Sequence, residues 1–174
     1  MKKIIVLIAL VITPAISFGQ SMFDKLENMN EVSSFIINKD AFQLLQKFNP
    51  DLGDDNEALE VFKMIQNLNE LKVFKTENTG VAKEMEVMVK SAVKKSNLTE
   101  LMRIKDKNSK AKIYVKTGGK KDYVSEVLMY VSGVSELTNG QAESVIVSLT
   151  GVIDINKLSK LADKFASNGK KSSK

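Results

Sequence analysis

The chain has 174 residues and a formal net charge of +5 at pH 7, and it contains no histidine, cysteine or tryptophan. The absence of cysteine excludes a disulfide framework and thiolate chemistry, so stability must come from an ordinary hydrophobic core. Histidine and cysteine are the best zinc ligands, and histidine is the commonest acid–base catalyst near neutral pH, so the common hydrolase mechanisms are excluded as well.

Residues 1–19 have the pattern of a secretory signal peptide. Lys2 and Lys3 precede an unbroken apolar run, Ile4–Ile12, and the segment ends in small residues. These nine residues fall short of the roughly 20 that a transmembrane helix needs. We therefore predict cleavage between Gly19 and Gln20 and an exported product, periplasmic or secreted, with no transmembrane segment after cleavage.

Residues 20–166 are predicted to form one domain, and residues 167–174 a disordered basic tail. Lysines in the leader and the tail account for the net charge, so the predicted body is formally neutral. Periodicity and turn residues predict, in order, a short helix at 21–29, a strand at 31–37, helices over 42–48 and from 54, a strand at 70–76 and a helix over 80–95. The helix over 80–95 should be the main one on the sheet, because its apolar residues share one face: Val81, Met85, Met88, Val89, Ala92 and Val93.

The stretch 98–153 predicts four consecutive antiparallel strands, followed by a helix that Asp154 caps. In the first strand Leu98, Met102 and Ile104 should point inward. In the second strand the inward residues should be Ala111, Ile113 and Val115, and the outward ones Lys110, Lys112, Tyr114 and Lys116. Asn139-Gly140 predicts a two-residue type I′ turn, which would place Val134 opposite Val145, Ser132 opposite Val147 and Tyr130 opposite Leu149.

Together these elements predict a single α+β domain. It should contain a mainly antiparallel sheet with a C-terminal four-strand meander and with the helices packed on one face.

The polar clusters provide no catalytic, metal or cofactor motif. Asp51, Asp54, Asp55 and Glu57 lack the alternating spacing of a calcium loop and are explained by helix capping. Thr117-Gly118-Gly119-Lys120 lacks the strand-loop-helix context of a phosphate loop and predicts a hairpin. We therefore expect no cofactor, no metal and no enzymatic activity.

Four lysines and one tyrosine around the first two meander strands form the one candidate binding surface. Its members are Lys105, Lys110, Lys112, Tyr114 and Lys116, which could face a polyanion, such as an anionic glycan or lipid headgroup, or a protein partner. The alternative is a solvated sheet face on which lysines discourage edge pairing. Aromatic residues between the lysines are limited to Tyr114, so nucleic acid is not an expected partner.

Several segments resemble the domain-of-unknown-function 4252 family. They are the leader ending Ser-Phe-Gly-Gln, Met22–Leu26, Ser125–Val131, and Val145–Ile155 followed by Leu158 and Leu161. The resemblance implies a small envelope protein of a Bacteroidetes-type bacterium and transfers no catalytic residues. Several relatives look like lipoproteins, whereas this chain has no cysteine to acylate, which favours a free periplasmic or secreted form.

We therefore expect an exported, non-enzymatic envelope protein that binds an unknown envelope protein or polymer. Two alternatives stay open. One is a structural or adhesive subunit that assembles through sheet edges, and the other is an uncommon hydrolase that uses Ser and Lys or paired carboxylates.

Overall fold

In the computed structural model, the described residues are 20–47, 67–106, 108–117, 119 and 121–156. The predicted signal peptide, the acidic cluster with its helix from residue 54, and the basic tail lie outside them. The elements are α1 (Gln20–Glu27), β1 (Ser33–Ile37), α2 (Lys39–Lys47), β2 (Leu68–Thr76), α3 (Thr79–Lys95), β3 (Thr99–Lys105), β4 (Lys110–Thr117), β5 (Tyr123–Ser132) and β6 (Ser144–Asp154). Beyond β6 the predicted last helix is described only to Asn156, whose N–H donates to Asp154 Oδ1 at 2.9 Å.

One six-stranded sheet with the order β1-β2-β6-β5-β4-β3 organises the domain. All neighbouring strands are antiparallel, and β3 to β6 form the predicted meander. The pairing of β6 with β2 joins the meander to the N-terminal strands. The predicted α+β domain is therefore confirmed.

The helices α1 and α3 cover one side of this sheet, which we call face A and define by Phe74, Ile146 and Tyr130. These three residues are opposite one another on β2, β6 and β5. Face A and the two helices share one core, whose buried members include Leu26 of α1 and Met85 of α3. The predicted apolar stripe of α3 is confirmed, because Val81, Met85 and Val89 are buried and Met88, Ala92 and Val93 pack against them.

The helix α2 packs on the opposite side, face B, which we define by Leu71, Leu149 and Val127. Phe42 of α2 is 2% exposed and belongs to the core of that face. The prediction that all helices share one face therefore holds for α1 and α3 and is wrong for α2. The physical reason is that the central strands carry apolar residues on both sides, so both faces need cover.

An extra residue in β3 places some of its side chains on a different face of the sheet from the one predicted. The β3–β4 register shifts between Glu100 and Met102, so Leu101 has no partner across the strands. Such a bulge rotates the residues before it relative to those after it. Leu98 therefore joins the core of face A, whereas Met102 and Ile104 lie on face B and are 41% and 55% exposed.

The predicted register of β5 and β6 is wrong by three residues, because Tyr130 is opposite Ile146 rather than Leu149. Asn139 and Gly140 do have the positive φ of the predicted turn, 51° and 81°. The ladder, however, ends where Ser132 meets Ser144, since the chain then forms a helical turn in which Thr138 N donates to Val134 O. A register shift by an odd number of residues exchanges the two faces of β6. Ile146 therefore lies on face A, in the core beneath α1 and α3.

Candidate functional site

The predicted lysines lie on face A, at the β3–β4 edge of the sheet. Lys105 is opposite Lys110, and Arg103 is opposite Lys112, so four cations occupy two cross-strand pairs. Lys112 is in turn opposite Tyr130 of β5, which identifies the face. We call Arg103, Lys105, Lys110 and Lys112 the basic edge.

Lys116 does not belong to the basic edge, although it lies on β4 like Lys110 and Lys112. It is four residues beyond Lys112, which is about 13 Å along a strand. Its partner across the strands is Glu126 of β5. The structure therefore brings three of the predicted lysines together and separates the fourth from them.

The acidic side chains next to the basic edge are already paired. Arg103 donates to both carboxylate oxygens of Glu100, at 2.9 and 2.8 Å, and this bidentate pair holds the pKa of Glu100 below its usual value. On α3, Lys90 Nζ lies 2.9 Å from Glu86 Oε1. The hydrogen bond from Lys90, with a smaller contribution from Lys110 and Lys112, lowers the pKa of Glu86.

The three lysines of the basic edge have no such partner. Among the described residues, none of Lys105, Lys110 and Lys112 has a carboxylate within 4.0 Å of its ammonium group. Lys105 and Lys110 are exposed, and Lys112 is half-buried beside the region that α3 covers. No described carboxylate therefore forms an ion pair with these three lysines, although Lys110 and Lys112 act on Glu86 at longer range.

Tyr114 has a different role from the one predicted for it. It shares face A with the lysines, but it is only 7% exposed and packs in the core beneath α3. Burial raises the pKa of its hydroxyl. The prediction of an open face along all of β4 is thus wrong at Tyr114, because α3 reaches over the middle of the strand.

Arg103 is the member of the basic edge that the sequence-based group lacks. Because Met102 and Ile104 were predicted to point inward, Arg103 between them was predicted to point outward, but its pairing with Lys112 depends on the tight turn between β3 and β4. In that turn Asp106 and Ser109 exchange backbone hydrogen bonds of 3.0 and 3.1 Å. Counting back from this turn in sequence would have placed Arg103 beside Lys112.

A second feature of face A is a cavity of about 160 Å³ between α1, the end of α3 and β5. Its walls are mainly apolar, and Lys25 and Lys95 also line it. The one carboxylate in its lining is Glu126, which forms no hydrogen bond or ion pair with another described residue. The lining residues are Met22, Phe23, Lys25, Met88, Ser91, Ala92, Lys95, Ser96, Glu126 and Leu128.

Replacing Glu126 with glutamine is expected to stabilise the protein near neutral pH. Burial raises the pKa of Glu126, against a smaller opposing effect of Lys116. A carboxyl group whose pKa is higher in the folded state contributes stability at low pH and loses that contribution as the pH rises through the raised value. The melting temperature of Glu126→Gln should therefore exceed that of the unaltered protein near neutral pH, and the difference should vanish below pH 4.5.

The matched control for this variant is Glu84→Gln, which changes an exposed glutamate of α3. Both proteins would be melted across the same pH series by circular dichroism. A constant difference between Glu126→Gln and the unaltered protein at all pH values would contradict an electrostatic origin.

Two further properties concern the described part of the chain. It contains no group of three or more acidic side chains arranged to hold a metal ion. None of its helices combines the length and the apolar character needed to cross a membrane.

Comparison with family models gives a match over most of the chain. The family model described as Domain of unknown function (DUF4252) matches residues 23–161, which include every strand of the sheet. Searches among curated proteins and among solved structures gave no significant match. Because the family model covers most of the sequence, the chain belongs to the DUF4252 family.

Proposed function

We propose that this protein is an exported, non-enzymatic protein of the cell envelope, periplasmic or secreted, that binds an extended anionic polymer through the basic edge. The observation that carries the proposal is the grouping of Lys105, Lys110 and Lys112 on one face without a carboxylate within 4.0 Å among the described residues. Cations left unpaired in this way favour binding to a polyanion, since bound small ions are released on contact.

The basic edge is a group of four side chains at the margin of the sheet. Its side chains lie on two hydrogen-bonded strands, where residues two apart on a strand are separated by about 7 Å. The Glu86–Lys90 pair of α3 lies close enough for Lys110 and Lys112 to lower the pKa of Glu86, so α3 borders one side of the surface. Because α3 covers β4 at Tyr114, a linear polymer would contact Lys110 and Lys112 together with Lys105 where it crosses the end of these two strands.

The two buried serines of the described sheet are poorly placed to act as nucleophiles. Ser144 is fully buried on face A, and its Oγ donates to the backbone oxygen of Val131 at 2.9 Å. Ser148 is 2% exposed and lies under the same helical cover. Both hydroxyls are thereby remote from solvent, and a serine nucleophile would need an open approach to its substrate.

The proposal predicts that Lys110→Glu/Lys112→Glu loses affinity for a polyanion by at least about tenfold. The double substitution reverses two charges in the centre of the basic edge and leaves the described apolar core unchanged. The measurement is fluorescence anisotropy of labelled heparin, used as a sulfated polysaccharide probe, titrated with each protein at low and moderate salt. The dependence of affinity on salt should also weaken in the variant.

The matched control is Lys75→Glu/Lys121→Glu, which changes the net charge equally at two exposed lysines away from the basic edge. This control should keep the affinity within about threefold of the unaltered protein. An equal loss in both variants would show that net charge alone attracts the probe. Unaltered protein that does not bind heparin would count against a polyanion and leave an acidic protein segment as the partner to test.

The second candidate function is a subunit that assembles through a sheet edge. The observation that favours it is the uncharged sequence of β1, at the opposite edge of the sheet from the basic edge.

A further inference from the structure

An irregularity in β5 places Glu126 in the wall of the cavity between α1, the end of α3 and the sheet, which we call the face A cavity. Along β4 the register passes from Glu126 directly to Val124, so Ser125 has no partner on that strand. Val124 packs in the core of face B, whereas Glu126, two residues further on, lines the face A cavity. In a regular strand these two residues would share one face. Bulges redirect side chains in this way, and they are frequent next to functional sites.

The carboxylate of Glu126 lacks a close partner in this position. Among the described residues, none donates a hydrogen bond to it or forms an ion pair with it. Burial raises the pKa of Glu126, and Lys116 on the neighbouring strand opposes this effect only in part. A half-buried carboxylate without a partner makes the folded state less stable when it is ionised. A cation supplied by a ligand would remove this cost.

The two lysines that line the face A cavity do not neutralise Glu126. Lys25 of α1 and Lys95 of α3 are both exposed, and the charges that act on the pKa of Glu126 do not include either of them. Ammonium groups too distant to stabilise the carboxylate are also too distant to repel strongly a cation bound to it. The last turn of α3 forms part of the wall, and the C-terminal end of a helix carries partial negative charge. The electrostatics of the cavity therefore favour a positively charged ligand.

The remaining wall of the face A cavity is mainly apolar and can adapt to a ligand. It includes Met22 of α1, Met88 of α3 and Leu128 of β5. Methionine side chains are flexible and polarizable, and their sulfur atoms make favourable contacts with aromatic rings. The cavity volume is about 160 Å³, and an engineered cavity of about 150 Å³ in another protein binds benzene. The space therefore suits one compact apolar group, such as a single aromatic ring.

We propose that the face A cavity binds a small primary amine, whose ammonium group pairs with Glu126 and whose apolar group lies among Met22, Met88 and Leu128. A protonated amine donates up to three hydrogen bonds and supplies the partner that no described residue gives to Glu126. A ligand carboxylate would be repelled by Glu126, and a neutral ligand would leave it unpaired. This site goes beyond the proposed polyanion binding, because no member of the basic edge lines the face A cavity.

Benzylamine is the probe that tests this site, since it joins one aromatic ring to a primary amine that is protonated near neutral pH. We would titrate it into the purified protein and follow the backbone amides by two-dimensional NMR. The amide signals of Ser91, Ala92 and Leu128 should shift with a dissociation constant of about 1 mM or below, as expected for so small a ligand. Benzyl alcohol has nearly the same shape without the charge and should bind at least about fivefold more weakly.

Substitutions test whether the carboxylate and the cavity both take part. Glu126→Gln keeps the shape of the side chain and should weaken benzylamine binding by at least about tenfold, with little change for benzyl alcohol. The matched control, Glu84→Gln, should keep the affinity for benzylamine within about twofold. Ala92→Leu places extra atoms in the cavity and should abolish the binding of both probes. Circular dichroism would confirm that each variant keeps the fold, and Glu126→Gln tests the proposal without relying on the folding of Ala92→Leu.

Three results would overturn the proposal. They are the absence of amide shifts with benzylamine, an unchanged affinity in Glu126→Gln, and tighter binding of phenylacetate, the matched anion, than of benzylamine at the same amides. The variant Lys110→Glu/Lys112→Glu separates this site from the basic edge, because it should lose heparin binding and keep benzylamine binding. Failure of one proposal therefore leaves the other to be judged by its own probe.

Discussion

Replacing Phe74 with alanine is expected to lower the free energy of unfolding by about 3–5 kcal/mol. Phe74 lies at the centre of the helical core: it is fully buried, it is opposite Ile146 on β6, and its ring stacks on that of Phe23 of α1 with centroids 5.7 Å apart. The truncation removes the apolar contacts of the ring and leaves a cavity that the rigid sheet cannot close. Equilibrium unfolding in urea, followed by circular dichroism, measures the loss.

The same sheet supplies a matched control for this substitution. Phe35→Ala removes the same side chain from β1, where it is 57% exposed, and should change the free energy of unfolding by less than about 1 kcal/mol when the protein is dilute and monomeric. A loss below about 1.5 kcal/mol for Phe74→Ala would contradict the packing of α1 on face A. It would mean that Phe23 and its helix add little to the core.

Features of the fold that depend on neighbouring residues could be predicted from the sequence. The helix α3 was predicted at 80–95 because its apolar stripe repeats with the helical period. It is observed at Thr79–Lys95, where Asn78 caps its first turn. The alternation of β4 was predicted for the same reason, since Ile113 and Val115 do lie on the side away from Lys112. In both elements, all the residues that form the pattern lie within one continuous segment of the chain.

Features that depend on pairing between segments could not be predicted in this way. The alternation of β3 breaks at Glu100 and Leu101, but that this break is a bulge becomes visible only when β3 is aligned with β4. The Asn139-Gly140 turn was predicted correctly, but the register was extrapolated from it through residues that form a helical turn instead. The position of α2 depends on which face of a completed sheet still needs cover.

The candidate site shows the same division between local and long-range features. Lys110 and Lys112 were predicted together, because they are two apart on one strand. Arg103 lies beside them only because of the β3–β4 register. Tyr114 is not part of the exposed group, because α3 covers it. The polyanion binding expected from the lysine pattern stays a prediction that the heparin titration addresses.

Replacing Gly133 with alanine is expected to destabilise the protein by about 2–4 kcal/mol, since it combines a strained backbone with a steric clash. Gly133 has φ +69°, and its N–H donates to Glu143 O at 2.9 Å where the β5–β6 ladder ends. A Cβ atom at this position would overlap the backbone oxygen of Asn108 and lie 2.9 Å from its carbonyl carbon, in the β3–β4 turn. Relief of this overlap requires the β3–β4 turn or the end of β5 to shift, next to the pairs Lys105–Lys110 and Lys110–Ser132.

Gly140→Ala separates the two causes of that destabilisation. Gly140 has a similar φ, +81°, but a Cβ atom there would meet no atom within 4 Å. This control should therefore cost only about 1 kcal/mol, the cost of the backbone conformation alone. Equal losses in the two variants would contradict the close approach of Gly133 to the β3–β4 turn. A larger loss for Gly133→Ala would show that this approach fixes the turn, and with it the pairing of Lys105 with Lys110 on which the basic edge depends.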